Sequence, residues 1–300
     1  MAAPGSSASS AATGAEEADL RAQRHAENFP VALRLLPRSV RADLVAVYNV
    51  ARVIDDLGDE AEGDRAARLR AFGADLATIW AGGQPSAPVL RQLAPTVAAK
   101  RLDQEPFQRL IEANLVDQRV HRYANYADLR GYCALSAHPV GRLVLGVFEV
   151  TDPVAVELSD RVCAALQLVE HWQDVAEDRR AGRIYLPGED MARFGVTEGD
   201  LDAATASAPL RRLMAFQTDR AAALLDSGAG LIGLLRGWAR LAVAGYLAGG
   251  RAAVDALRRV DGDVLGQVPR TRRRDVLRHL VRLLTRPGQH RNTARGGHPR

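Results

Sequence analysis

Gln167-Leu168-Val169-Glu170-His171-Trp172-Gln173-Asp174-Val175-Ala176-Glu177-Asp178, followed by Gly182-Arg183-Ile184-Tyr185-Leu186-Pro187, decides how this chain is read. The stretch has no Gly or Pro before Gly182 and continues an apolar helical pattern that begins near Val154. The pattern predicts one long helix over 154–178. Residues four apart share a helix face. Glu170, Asp174 and Asp178 therefore line one side, with Gln167 near the same stripe. Like charges at that spacing repel by roughly 0.2–0.5 kcal/mol per exposed pair, and by more when buried. Three aligned carboxylates on an otherwise apolar helix point to a cation. Hard oxygen ligands suit Mg²⁺, which typically takes one or two carboxylates plus substrate phosphates. A solvated acidic face has the same pattern, so this row alone leaves both readings open.

A second row shifts the balance. Val47-Tyr48-Asn49-Val50-Ala51-Arg52-Val53-Ile54-Asp55-Asp56-Leu57-Gly58-Asp59-Glu60 is again helical and mostly apolar. Asp55 and Asp59 share a face, and Arg52 lies one turn before Asp55. Two such rows facing each other across a cavity would suit a Mg²⁺-bound diphosphate, with Arg taking the remaining charge.

The rest of the chain supports a helical bundle. With 300 residues, 47% of them hydrophobic, it can bury one large core. Periods near 3.6 dominate and no alternating strand stands out. A helix is expected from Ser39, as N-cap, through the first acidic row. Others are expected over 64–80, 88–100, 105–117, 128–135, 210–225, 235–260 and 273–284. The expectation is all-α, one bundle of roughly ten helices. Residues 1–18 read as a disordered leader, 19–285 as the domain and 286–300 as a basic disordered tail. Small residues over Ser136–Gly141 would let helices approach closely. Gly228-Ala229-Gly230-Leu231-Ile232-Gly233 matches a dinucleotide fingerprint, but no βαβ unit surrounds it, so it reads as a helix-helix turn.

The net charge of +4 is uneven: residues 270–300 carry +9 and the remainder −5. The basic end reads as a nucleic-acid arm, an anionic-membrane contact or a solvated end; no nucleic-acid-binding motif accompanies it, and no nucleic-acid partner is expected. Arg274, Arg278 and Arg282 recur on one face of the last helix, with Arg286 one turn further. Val276, Leu277, Leu280, Leu283 and Leu284 form its apolar stripe, expected to dock on the bundle. No run has the length of a transmembrane helix and no signal peptide is visible, so a cytoplasmic protein is expected, with peripheral contact at the inner membrane face. Two cysteines, Cys133 and Cys163, fit reduced thiols.

Tyr48 through Asp59, Tyr132-Cys133 through Gly141-Arg142, and Gln167 through Pro187 resemble the squalene/phytoene synthase family. The resemblance runs from about Arg21 to Leu284. His25-Ala26-Glu27-Asn28-Phe29-Pro30 and Gly182 to Pro187 look like its hydroxysqualene synthase, or HpnC-type, branch. The resemblance implies the all-α isoprenoid synthase fold around a central cavity. It implies two or three Mg²⁺ ions, held by Asp55, Asp59, Asp174 and Asp178 with Glu170 beside them. Arg52 would contact diphosphate and Tyr48 would line the cavity. Gln167, Arg183 and Tyr185 would meet the substrate. Two positions depart from the pattern: Glu170 stands where the family usually has Asn, and His138 where relatives of the branch often do. His138 could equally satisfy a helix end.

The function implied is conversion of presqualene diphosphate and water to hydroxysqualene, without NAD(P)H. The alternatives are head-to-head condensation of two prenyl diphosphates to presqualene diphosphate, squalene or phytoene, and an inactive helical scaffold. Implied partners are a presqualene diphosphate synthase and a flavin-dependent hydroxysqualene reductase.

Overall fold

The computed structural model describes residues 36–285. The leader, the 25–30 motif, Arg286 and the tail lie outside them. The described residues form helices and connecting loops, with a single isolated parallel bridge between Arg122 and Ile184.

The first helix, α1, is Arg38–Asp59. Its cap position is Pro37, with no side-chain hydrogen bond, so Ser39 is not the N-cap expected from sequence. Next come α2 (Arg65–Ala77), α3 (Pro88–Lys100) and α4 (Glu105–Asp117). Pro at the first or second position of α3 and α4 sets the start of each without losing a needed N–H. α5 (Tyr126–Ser136) begins at Asn125, whose side chain accepts from Asp128 N at 2.9 Å. α6 (His138–Val147) follows, where the sequence reading had only a small-residue junction. The expected close packing is there: a Cβ on Gly141 would lie 2.5 Å from both Ser159 Oγ and Cys163 Sγ.

The long acidic helix is two helices, α7 (Pro153–Gln173) and α8 (Val175–Arg180), with Asp174 between them at φ −107, ψ 16. The break is shallow. Asp174 N still donates to Glu170 O at 3.0 Å, and Asp178 N to Asp174 O at 2.8 Å, so the three acidic residues keep their one-turn spacing. α9 (Gly188–Phe194) and a 3₁₀ turn (Glu198–Asp202) lead to α10 (Ala208–Gly228), α11 (Leu231–Leu234), α12 (Gly237–Arg259) and α13 (Arg273–Thr285). The fingerprint-like glycines fall in the α10–α11 turn, as a helix-helix connection. There Gly228 lets α10 approach α7, since a Cβ would meet Leu158 O at 2.8 Å.

α7 is the central element. It buries Val162, Ala164, Ala165, Leu168, Val169 and Trp172, on more than one face, as a helix surrounded by others must. α5, α6, α10 and α12 pack around it. α1 to α4 share a second apolar cluster with α6, centred on Ile54, Phe107 and Leu143. α13 docks on α12 through Val276, Leu280, Leu283 and Leu284. Leu277 is not part of that docked stripe. It is 61% exposed, and Val281 is 51% exposed. His138 opens α6 with its Nδ1 3.5 Å from Asp160 on α7; Arg142 holds the same carboxylate at 2.8 Å. His138 thus lies against the Arg142–Asp160 ion pair between α6 and α7. Burial lowers its pKa although Asp160 acts the other way.

Candidate active site

The segment that follows the second acidic row reaches the first row through Arg183. Its Nη2 donates to Asp59 Oδ1 at 2.6 Å, joining the Gly182–Pro187 segment to the end of α1. That segment is positioned by backbone pairing with residues 121–124. Ile184 N donates to His121 O, and Gly188 N to Tyr123 O, both at 2.9 Å. Gly182 makes the turn possible at φ +82, a region that L side chains rarely adopt. Arg122 closes the turn by donating to Gly182 O at 2.6 Å, while holding Glu198 with its other nitrogens. Arg179 of α8 grips Asp202 and Glu198, fixing the 3₁₀ turn beside it.

On α1, the expected Arg52 pairs with Asp56 at 2.9 Å and reaches toward Glu60 at 3.6 Å. The structure therefore places its guanidinium on the flank of the first row, held by its own helix. Tyr48 is half-buried one turn before it. Asp55 accepts from Asn114 Nδ2 at 3.2 Å. Asn114 can reach α1 because residue 58 is Gly; a Cβ there would lie 2.1 Å from Asn114 Oδ1. From the second row, Asp178 Oδ2 lies 3.9 Å from His171 Nδ1. His171 Nε2 is 3.2 Å from the expected Gln167, and its ring stacks on Tyr185 with centroids 3.6 Å apart. His171, Asp178, Arg183, Tyr185 and Leu201 line a narrow pocket.

Behind this pocket is a buried polar cluster that the sequence reading did not single out. Tyr132 Oη donates to Asp117 Oδ2 at 2.8 Å. The Tyr132 ring is 5.5 Å from Tyr123 and 5.8 Å from Tyr185. Burial raises the Asp117 pKa, against the Tyr132 hydrogen bond and the Arg183 charge, with Asp59 adding to the rise. Burial also raises the phenols of Tyr123, Tyr132 and Tyr185, and Asp117 reinforces each rise. Burial works against the Arg183 charge, yet the Asp59 carboxylate outweighs it and the net shift is upward. Asn114 and Asp117, three apart in the last turns of α4, were the available signal.

The donor chemistry of the two rows is the kind a hard divalent cation takes. Their donors are carboxylate oxygens, and Asp59 already holds one cation, the Arg183 guanidinium. Among the described residues no three His, Cys, Asp or Glu side chains converge into a cage. Carboxylates offered one or two at a time are what Mg²⁺ takes when phosphates complete its shell.

The sequence profile of the squalene/phytoene synthase family matches residues 22–275. The chain belongs to that family. A hydroxysqualene synthase from Zymomonas mobilis subsp. mobilis is 37% identical over 210 residues, 68% of this chain and 69% of that protein. A presqualene diphosphate synthase from Rhodopseudomonas palustris is 32% identical over 199 residues, 65% of this chain and 71% of that protein. The crystal structure of squalene synthase HpnC from Alicyclobacillus acidocaldarius superposes with a TM-score of 0.75 at 44% identity, covering 79% of this chain and 90% of that one. The fold is the isoprenoid synthase fold, and the chain is a prenyl-diphosphate-processing isoprenoid synthase.

Proposed function

We propose that the enzyme ionises presqualene diphosphate and captures the cation with water to give hydroxysqualene and diphosphate. The observation that carries this reading is the Arg183–Asp59 contact, which ties the second motif to the first beside the pocket that Tyr185 lines. Asp55, Asp59, Asp174 and Asp178 would hold Mg²⁺, with Glu170 beside them. The metal would neutralise the leaving diphosphate. Arg183 would trade Asp59 for a phosphate oxygen, and Arg52 would stand at the rim to add positive charge. Tyr185, with the apolar faces of α5 and α7, would keep bulk water from the cation. No hydride is transferred, so NAD(P)H has no part in this reaction. The likeness to a presqualene diphosphate synthase favours a second reading, condensation of two farnesyl diphosphates. Incubation with farnesyl diphosphate and, separately, presqualene diphosphate, with Mg²⁺ and no NADPH, separates the two by their lipid products. Hydroxysqualene from presqualene diphosphate supports the first reading; presqualene diphosphate from farnesyl diphosphate supports the second. A presqualene diphosphate synthase upstream and a flavin-dependent reductase downstream are the partners this reaction calls for.

Glu170 is expected to tune metal affinity. Glu170→Asn removes one negative charge from the second row and should raise the Mg²⁺ concentration for half-maximal activity while the reaction persists. Parallel Mg²⁺ titrations of the two proteins check this; superimposable curves would make Glu170 a bystander.

The lipid substrate also motivates a membrane role for α13. No described helix is long and apolar enough to cross a membrane. Arg274 and Arg282 are exposed near the outward-facing Leu277 and Val281, an amphipathic arrangement suited to an anionic lipid surface. Arg278 shares the exposed side but is tied to Asp255 at 2.7 Å and Asp275 at 3.3 Å. Replacing Arg274 and Arg282 with Gln therefore tests the surface without breaking that pair. Co-sedimentation with anionic vesicles should fall, and added salt should mimic the loss in wild type. Equal binding by both proteins, or binding by neither, removes the membrane role.

A further inference from the structure

We propose that Asp117 and Tyr123 hold the water that captures the cation; this rests on the presqualene diphosphate reading. Asp117 Oδ2 is occupied by the Tyr132 hydroxyl, but Oδ1 is buried without a hydrogen-bond partner in the protein. Tyr123 Oη is likewise buried and unpartnered, on a side chain 6% exposed. Buried polar atoms are nearly always satisfied, and the exceptions need a reason. Here the two unpartnered atoms belong to one cluster. Tyr123 lies beside Tyr132, whose hydroxyl holds Asp117, and it stacks near Tyr185 with centroids 5.9 Å apart. Tyr185 in turn lines the pocket with Asp178 and Arg183.

One water placed between them would satisfy both atoms. It donates to Asp117 Oδ1 and accepts from the Tyr123 hydroxyl, leaving a lone pair for the cation. The carbon–oxygen bond to diphosphate breaks and its electron pair leaves with the diphosphate. The water lone pair forms the new carbon–oxygen bond, and its proton passes to the Asp117 carboxylate. The sum is one alcohol, one diphosphate and one proton, with no oxidant or reductant. Asp117 is separate from both acidic rows, so it can handle the water while the rows handle the leaving group. Arg183, Asp59 and His171 are the charged or titratable groups that face it, along with the Tyr132 hydroxyl.

The test is product partitioning in Asp117→Asn and Tyr123→Phe. Diphosphate release and alcohol formation are measured together on presqualene diphosphate with Mg²⁺. Wild type should give one alcohol per diphosphate. In both variants, diphosphate release should persist while the alcohol share falls about a hundredfold in favour of hydrocarbon or rearranged products, the low end of the 10²–10⁴ that a positioned proton acceptor contributes. Asp117→Asn should unfold no earlier than wild type at neutral pH. Its amide oxygen still accepts from Tyr132, and the burial penalty on the charge is gone. An unchanged alcohol share, or a fall in diphosphate release of equal size, overturns the water site. If wild type forms no alcohol from presqualene diphosphate, the underlying reaction is wrong and the water site goes with it.

Discussion

Alanine at any one of Asp55, Asp59, Asp174 and Asp178 should lower turnover at least about a hundredfold while the protein still folds. Each substitution removes a carboxylate that the account assigns to neutralising the leaving diphosphate through its metal. None of the four is part of the apolar core, so their loss leaves no cavity in it. Asp59 is the most telling of the four because it also receives Arg183. Its side chain is 44% exposed, so the ion pair contributes about 1 kcal/mol or less to stability. A large loss of turnover in Asp59→Ala with a nearly unchanged unfolding midpoint would therefore mark chemistry and not folding. Steady-state kinetics with a thermal melt on each variant checks this. Full activity in Asp55→Ala and Asp174→Ala would remove the two-row account.

Arg183→Gln should lower kcat/KM by about 10²–10³, the range typical of losing one charge-stabilising donor in a closed site. The residue is placed by an unusual local structure: a left-handed glycine, a carbonyl capped by Arg122, and backbone pairing with residues 121–124. That much construction holds its guanidinium between the first row and the Asp117 cluster. Arg183→Lys should recover part of the loss, since it restores the charge without the planar fork that matches phosphate. Arg183→Gln also withdraws a positive charge that holds the Asp117 pKa down, so in that variant the carboxyl should rise further. Kinetics of the Gln and Lys variants side by side decide the matter; activity within a few-fold of wild type in both would sink the assignment.

The helices were legible where local signals are strong. Pro88–Lys100 and Glu105–Asp117 agree with the sequence reading to the residue, because proline fixes their starts and polar residues follow their ends. The break at Asp174 was not legible. Gln173-Asp174-Val175 contains no helix breaker, and only a shift to ψ 16 divides α7 from α8. The acidic rows and Arg183 were readable from four-residue spacing and the family resemblance. Their meeting was not, because it depends on residues 182–188 pairing with residues 121–124, some sixty positions away. Arg52 read as a diphosphate contact from its place before the first row; its pairing with Asp56 and Glu60 on its own helix, four and eight residues on, was not part of that reading. Tyr132 sat inside a quoted motif but drew no role. A tyrosine on a helix face reads as core until the carboxylate it holds, fifteen residues earlier, is seen beside it.

The central claim is that this site expels diphosphate and lets in one water. The most direct measurement is turnover of presqualene diphosphate with Mg²⁺ in heavy-oxygen water, without any reductant. The account predicts hydroxysqualene carrying the solvent oxygen, formed one for one with diphosphate that carries none of it. Recovery of unreacted presqualene diphosphate, or of a product without solvent oxygen, would contradict it.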